Sequence, residues 1–310
     1  NMKSAIKIII MASITFGTVG VLYFLDSILT DPTIDSDKKI FVDSLGREVE
    51  VSGHPERIIS MAPVITETLY AIGVDDRVVG VTDYCNYPEE VKDKPSIGGF
   101  STPNLETIVS LEPDLVISTR NDQAVIDSLE NYDITIVILL ANTLEDAIER
   151  IEDVGYLVDE EITADKISDT METKMNVITS KTSALSDDQR LKCYFEVWST
   201  PKVAGKYSFL HDMMERAGGI NIFGDIRSEW ASVSHESVIE KNPEVIFITA
   251  MGRDNYQEDI GARPGYNNID AIINDRIYVC DDDKFTRAGP RIIDALEEMA
   301  LYLHPTLLLY

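Results

Sequence analysis

Positive charge is scarce in this chain. Lys and Arg total 27 against 54 Asp and Glu, a formal charge of −27 at pH 7. A nucleic acid duplex is itself a dense polyanion, so this balance argues against a nucleic acid partner. It equally disfavours adsorption to anionic lipid. The charge suits a solubility adaptation, for example to a salty environment. Cysteine and histidine are also few. Cys85, Cys193 and Cys280 form no CxxC, and His54, His211, His235 and His304 are scattered, so no zinc-type cluster is expected. An odd cysteine count leaves at least one thiol unpaired and leaves one disulfide open. The motifs of nucleotide and acyl chemistry are missing too. The first strand-to-helix turn reads MAPVITE and holds no GxGxxG, which weakens dinucleotide binding. There is no GxxxxGK[ST] and no GxSxG. At this acidity adjacent carboxylates arise by chance, and none is selected as a catalytic pair.

What is present is one pattern written twice. Residues 104–119 read NLETIVSLEPDLVIST and residues 234–249 read SHESVIEKNPEVIFIT. At a fixed offset Glu106 falls on Glu236, Pro113 on Pro243, Asp114 on Glu244 and Thr119 on Thr249. Each copy has a short helical start, a Pro-acidic corner and a β-branched apolar run, the helix-turn-strand unit of a parallel α/β sheet. Two copies in 310 residues predict two similar lobes with a cleft between them.

The remaining segments fit that plan. Residues 38–51 carry a hairpin signal around Ser-Leu-Gly. Strands at 57–62, 77–82, 114–119 and 134–140 alternate with helices at 65–73, 102–111 and 122–131. From Thr143 to about Ala184 the chain is helical in character, and no Gly or Pro interrupts 160–184, which predicts a long, stiff connecting helix. A second lobe follows, with strands at 191–198, 244–250 and 276–281 and a final helix at 289–304. The expected division is an N-terminal signal or anchor (1–30), a first lobe (31–158), a connecting helix (159–186) and a second lobe (187–310). The fold class is α/β: two similar Rossmann-like lobes joined by one long connecting α-helix, with a ligand cleft between them. At the N-terminus Lys3 and Lys7 precede an uncharged stretch from Ile8 to Leu25, which predicts an exported body anchored by residues 8–25.

Aromatic residues stand in loops at strand ends: Tyr84 and Tyr87 in TDYCNYP, Phe100 in GGFSTPN, Trp198, Trp230 in RSEWASVS, and Phe285 beside Asp283 and Arg287. Open α/β sheets bind ligands at strand carboxyl ends, and aromatics there offer flat apolar faces. Packing of loop onto core is the other reading of each. Glu106 and Glu236 occupy the first turn of equivalent helices. There they either complement the helix dipole, worth about 0.3–1 kcal/mol, or form a pair of exposed acids that meet basic sockets on a partner.

With these residues in view the chain resembles the cobalamin and iron-complex type of ABC-transporter substrate-binding protein over roughly residues 40–304. The segments that carry the resemblance are DSLGREVEV, RIISMAPVITETLYAIG, VVGVTDYCNYP, IGGFSTPNLETIVSLEPDLVI, AGGINIF, VSHESVIEKNPEVIFI and FTRAGPRIIDALEEMA. The resemblance implies a non-enzymatic protein that captures a metal chelate outside the membrane and passes it to an ABC permease with its ATPase subunits. It implies no resident cofactor or metal. In vitamin B12-binding members one glutamate per lobe engages transporter arginines, and Glu106 and Glu236 match those positions. Tyr84, Trp230, Asp283, Phe285 and Arg287 match ligand-cleft motif positions. Phe100, Thr119 and Lys284 stand where that pattern has Trp, and Trp198 lies in a loop that lines the cleft. A corrinoid is the first ligand implied. A ferric siderophore or heme is the alternative within the family, and a doubly wound metallo-tetrapyrrole enzyme, a chelatase or reductase, is the alternative outside it.

Overall fold

The computed structural model describes residues 38–197, 201–249 and 260–307. The expected anchor at 8–25 and Trp198 lie outside the described residues. Among those described, no helix is long and apolar enough to cross a membrane.

Strands β1 (Lys38–Val42) and β2 (Glu48–Ser52) form a two-stranded sheet. The first lobe then alternates β3 (Ile58–Ser60), α1 (Pro63–Ala71), β4 (Val78–Val81), α2 (Leu105–Ser110), β5 (Leu115–Ser118), α3 (Gln123–Glu130) and β6 (Ile136–Ile138). Two helices follow, α4 (Leu144–Leu157) and α5 (Glu161–Thr182). The second lobe runs β7 (Leu191–Glu196), β8 (Lys202–Ala204), α6 (Phe209–Arg216), β9 (Gly219–Asn221), β10 (Trp230–Ser232), α7 (His235–Lys241), β11 (Val245–Thr249), α8 (Asp270–Ile273), β12 (Ile277–Cys280), α9 (Asp282–Thr286) and α10 (Ile292–Leu303).

The two main sheets share one topology. The first has the order β4-β3-β5-β6 and the second, read from its other edge, β9-β7-β11-β12. Renumbered within each lobe, both are 2-1-3-4, and every pairing is parallel. Helices on both faces leave central strands no solvent side. Accordingly the central strands β3, β5 and β11 are buried at every residue, and so is the edge strand β6.

The repeat read in the sequence is a repeat of hydrogen bonding. Asn104 caps α2 through the Thr107 N–H at 3.1 Å, and Ser234 caps α7 through the Ser237 N–H at 3.2 Å. Both helices end on a left-handed residue, Glu112 at φ 47° and Asn242 at φ 43°. After the proline, each acid stitches the third strand of its lobe to the start of the first. Asp114 accepts from the Glu56 and Arg57 N–H groups, and Glu244 from the Lys192 N–H at 2.9 Å.

The connecting helix α5 has 22 residues and spans about 33 Å at 1.5 Å per residue. The helical run from Thr143 is broken at Val158–Glu160, where Asp159 takes φ 64°, so α4 and α5 form two packed helices. Ala164, Ser168, Met171, Met175, Ile178 and Thr182 make the buried stripe of α5. Gly155 lets α4 and α5 approach, since a Cβ there would lie 2.3 Å from the Ala164 Cβ. Gly-to-Ala in a helix ordinarily gains up to about 1 kcal/mol, whereas overpacking costs about 1–3 kcal/mol. A clash this close, with the Glu160 carbonyl 3.3 Å away, puts Gly155→Ala at the upper end. A net loss of about 1–2 kcal/mol is expected in urea unfolding, and a more stable variant would show that the helices can part freely.

The three cysteines are free, buried thiols, so the open disulfide is absent. Burial pushes the Cys193 thiol up to about 12.

Candidate functional site

A cavity of about 300 Å³ lies between the lobes. Its first-lobe wall is made at strand carboxyl ends: Ala62, Pro63 and Val64 after β3, Thr119 after β5, and Leu140, Ala141 and Asn142 after β6. Phe100 and Arg150 join them. The second lobe contributes Phe209, Glu229, Trp230 and the Thr286–Ala288 corner between α9 and α10. This is the placement expected for a ligand crevice in open α/β sheets.

The aromatic walls touch one another and nearby cations. Phe209 meets Trp230 edge-on with ring centroids 6.5 Å apart, and Lys202 lies 5.8 Å from the Trp230 ring. Arg120 lies 5.2 Å from the Phe100 ring and donates to the Ser101 hydroxyl at 3.0 Å. Of the residues expected in the cleft, Phe100, Trp230 and Arg287 line the cavity. Tyr84 is exposed beside Gly99, whose added Cβ would lie 3.9 Å from its ring. Asp283 is turned toward Arg287 and Asn86 and does not reach the lining. Phe285 is a correction: it has no solvent exposure and packs against Phe195 at 6.3 Å, so it is core and not cleft wall. There it anchors α9 against β7 of the second lobe.

Arg287 belongs to a cluster that ties the lobes together. Its Nη1 donates to Glu67 Oε1 at 2.9 Å and Asn86 Oδ1 at 2.7 Å. Its Nη2 donates to the Tyr84 carbonyl at 3.1 Å and pairs with Asp283 at 2.6 Å. Arg291 grips the same Glu67 carboxylate through Nε and Nη2, both at 2.8 Å, and lies 4.1 Å from the Tyr87 ring centroid. Glu67, Tyr84, Asn86 and Tyr87 are first-lobe residues, and Asp283, Arg287 and Arg291 come from the second. Glu67 was missed by the sequence reading. The available signal was a lone charge in the otherwise uncharged stretch IISMAPVITETLYAIG.

Glu106 and Glu236 lie outside the cleft, exposed in the first turns of α2 and α7. Its own backbone N–H, then the Ser234 hydroxyl, hold the Glu236 carboxyl below the usual carboxylate range. A separate open depression of about 760 Å³ adjoins Glu106 between α2 and α3, lined also by Leu105, Val109 and the exposed Tyr132. Among the described residues no group of three or more His, Cys, Asp or Glu could hold a metal ion.

Known proteins share this arrangement. The chain is 30% identical over 270 residues to a Bacillus subtilis (strain 168) protein named as an uncharacterized ABC transporter substrate-binding lipoprotein, YvrC. That match covers 85% of this chain and 84% of the relative. The crystal structure of the periplasmic vitamin B12-binding protein BtuF of Vibrio cholerae superposes with a TM-score of 0.70 at 26% identity, covering 80% of this chain and 96% of that one. The periplasmic heme-binding protein RhuT from Roseiflexus sp. RS-1 superposes with a TM-score of 0.70 at 25% identity, covering 81% and 98%. A family profile described as periplasmic binding protein matches residues 58–284, well over half the chain. With two like-wound lobes, a connecting helix and a cleft between them, this chain belongs to the periplasmic binding protein family, as a substrate-binding protein of the ABC-transporter type.

Proposed function

We propose that this protein captures a flat metal chelate outside the membrane, a corrinoid first among the candidates, and delivers it to an ABC importer without chemical turnover. The observation that carries the reading is the inter-lobe cavity walled by Phe100, Phe209 and Trp230. A corrin or porphyrin is larger than 300 Å³, so the cavity takes one edge of the macrocycle, and the exposed Glu229 of the lining faces the remainder. Affinity comes from apolar ring surface against preformed aromatic walls. Heme is the second reading, favoured by a buried cation in the lining described below. Closure is slight, because α5 and the Glu67 cluster hold the lobes. Glu106 and Glu236 dock on the permease, and residues 8–25 tether the protein to the membrane.

Tryptophan fluorescence tests the capture step. Trp198 and Trp230 are the only two indoles in the chain. Titration with cobalamin, cobinamide, heme and a ferric hydroxamate is expected to give saturable quenching by a corrinoid. Trp230→Ala, removing a central aromatic anchor, weakens that binding by about 30-fold or more. Quenching by heme or the hydroxamate alone would discard the corrinoid, and silence toward all of them would discard metal-chelate capture.

A further inference from the structure

The cleft holds a cation that the chain does not neutralise. Arg150 sits on the α4 face that carries Ala147, Ile151 and Val154 inward, and it is 4% exposed. Its Nη2 donates to the Ala288 carbonyl of the second lobe, while its Nε is buried without a partner. The side chain lines the inter-lobe cavity. Among the described residues no carboxylate lies within 4.0 Å of its guanidinium.

The nearest acids are otherwise engaged. Asp146, one turn back, accepts the N–H groups of Asn142 and Thr143 at 2.8 and 3.0 Å. Asp153, one turn on, has its carboxyl pushed up to about 6 by burial and by its neighbours Glu149 and Glu152. Glu229, the carboxylate in the lining, is exposed. Burial draws the Arg150 guanidinium down to about 10, which leaves it charged at neutral pH. The other guanidinium in the lining, Arg287, is taken up by Glu67, Asp283, Asn86 and the Tyr84 carbonyl. A buried charge is costly unless something pairs with it, and the Arg150 side chain is among those that line the cavity.

We propose that Arg150 recognises an oxyanion on the ligand: the chelate enters the cleft with a carboxylate or phosphate oxygen on this guanidinium, and Thr119 and Asn142 line the same cavity as further polar groups. The inference rests on the capture reading and narrows the ligand to metal chelates that carry such a group. Two matched pairs test it on the purified full chain, with Arg150→Met beside the wild type. Heme against heme dimethyl ester reports a carboxylate, and cobalamin against cobinamide reports a phosphodiester.

In the pair that binds, the oxyanion-bearing member is expected to bind about 10- to 100-fold more tightly, the worth of one charge-assisted hydrogen bond. Arg150→Met removes that preference and leaves the affinity of the neutral member within about threefold. Equal affinities in the wild type, or a preference that survives Arg150→Met, would overturn the role of Arg150 and leave chelate capture standing. If no probe binds, chelate capture falls instead, and the melting temperature of the ligand-free protein decides for Arg150. Removal of an unpaired buried charge raises it, whereas a lower melting temperature would show Arg150 to be structural and overturn the proposal.

Discussion

Glu67→Ala is expected to destabilise the protein by about 3–5 kcal/mol, because it removes the buried carboxylate that two guanidinium groups share: Arg291 loses its carboxylate partner, while Arg287 keeps Asp283. The carboxylate is 4% exposed and receives donors from both Arg287 and Arg291. Side-chain exposure of the two arginines is 12% and 23%, so solvent repairs little of the loss. For a chain of this size about 2 °C is lost per kcal/mol, which places the fall in melting temperature near 6–10 °C. Surface ion pairs give about 0–1 kcal/mol and fade with salt, so the deficit should persist in high salt. Glu67→Gln keeps acceptors for some of these donors and should lose less. A triple variant with apolar residues at 67, 287 and 291 should recover much of the stability, since a well-packed apolar replacement avoids the desolvation cost. A Glu67→Ala protein within 1 kcal/mol of the wild type would end the idea that this cluster clamps the lobes. The same variant bears on function. With Glu67 gone the lobes keep α5, the Asn86–Asp283 and Arg287–Tyr84 bonds and the Arg150–Ala288 contact, but lose the central carboxylate, and solution scattering should report a broader distribution of inter-lobe distances. The wild-type protein should scatter alike with and without ligand.

The clamp also shows where the sequence stops being readable. Strand runs such as DLVIST and EVIFIT, and the caps Asn104 and Ser234, are local patterns, and local patterns fix element type. The 130-residue repeat of Glu106 on Glu236 carried the equivalence of the lobes, and both sheets duly have the order 2-1-3-4. Contacts between residues more than 200 positions apart leave no such trace. Arg287 stood out as a charge in a motif and Arg291 did not, and their shared carboxylate, Glu67, is 220 and 224 positions away. Phe285 failed for a related reason. An aromatic next to Asp283 and Arg287 looks the same in sequence whether α9 turns it outward or inward, and burial against Phe195 settles the direction. Arg150 could have been suspected, because it interrupts the apolar stripe of Ala147, Ile151 and Val154. What could not be read was that the stripe ends at the cavity, since the Ala288 carbonyl it touches belongs to the other lobe.

The Glu106→Ala, Glu236→Ala double variant is expected to bind its chelate as the wild type does and to dock on its own permease–ATPase complex about 100- to 10,000-fold more weakly. That is the product of two charge-assisted contacts worth about 1.5–3 kcal/mol each. Among 54 acidic residues, these two form an equivalent pair. Each sits one position inside a side-chain-capped helix start, one lobe apiece, and both are exposed. Each helix leads into the third strand of its lobe, so the two carboxylates occupy equivalent places in the two lobes. A generic surface acid more than a Debye length of about 8 Å from a permease arginine is largely screened at physiological salt. It contributes to the long-range field of the protein and not to register. On the proposed docking, the depression beside Glu106, with Leu105, Val109 and exposed Tyr132, would flank the contact with apolar surface. Docking in nanodiscs should therefore weaken with salt for the wild type and lose most of that salt dependence in the double variant. Each single variant should fall about midway in free energy, because sites on different lobes share no partner and add. A double variant that docks within about threefold of the wild type would assign both glutamates to helix-dipole stabilisation alone.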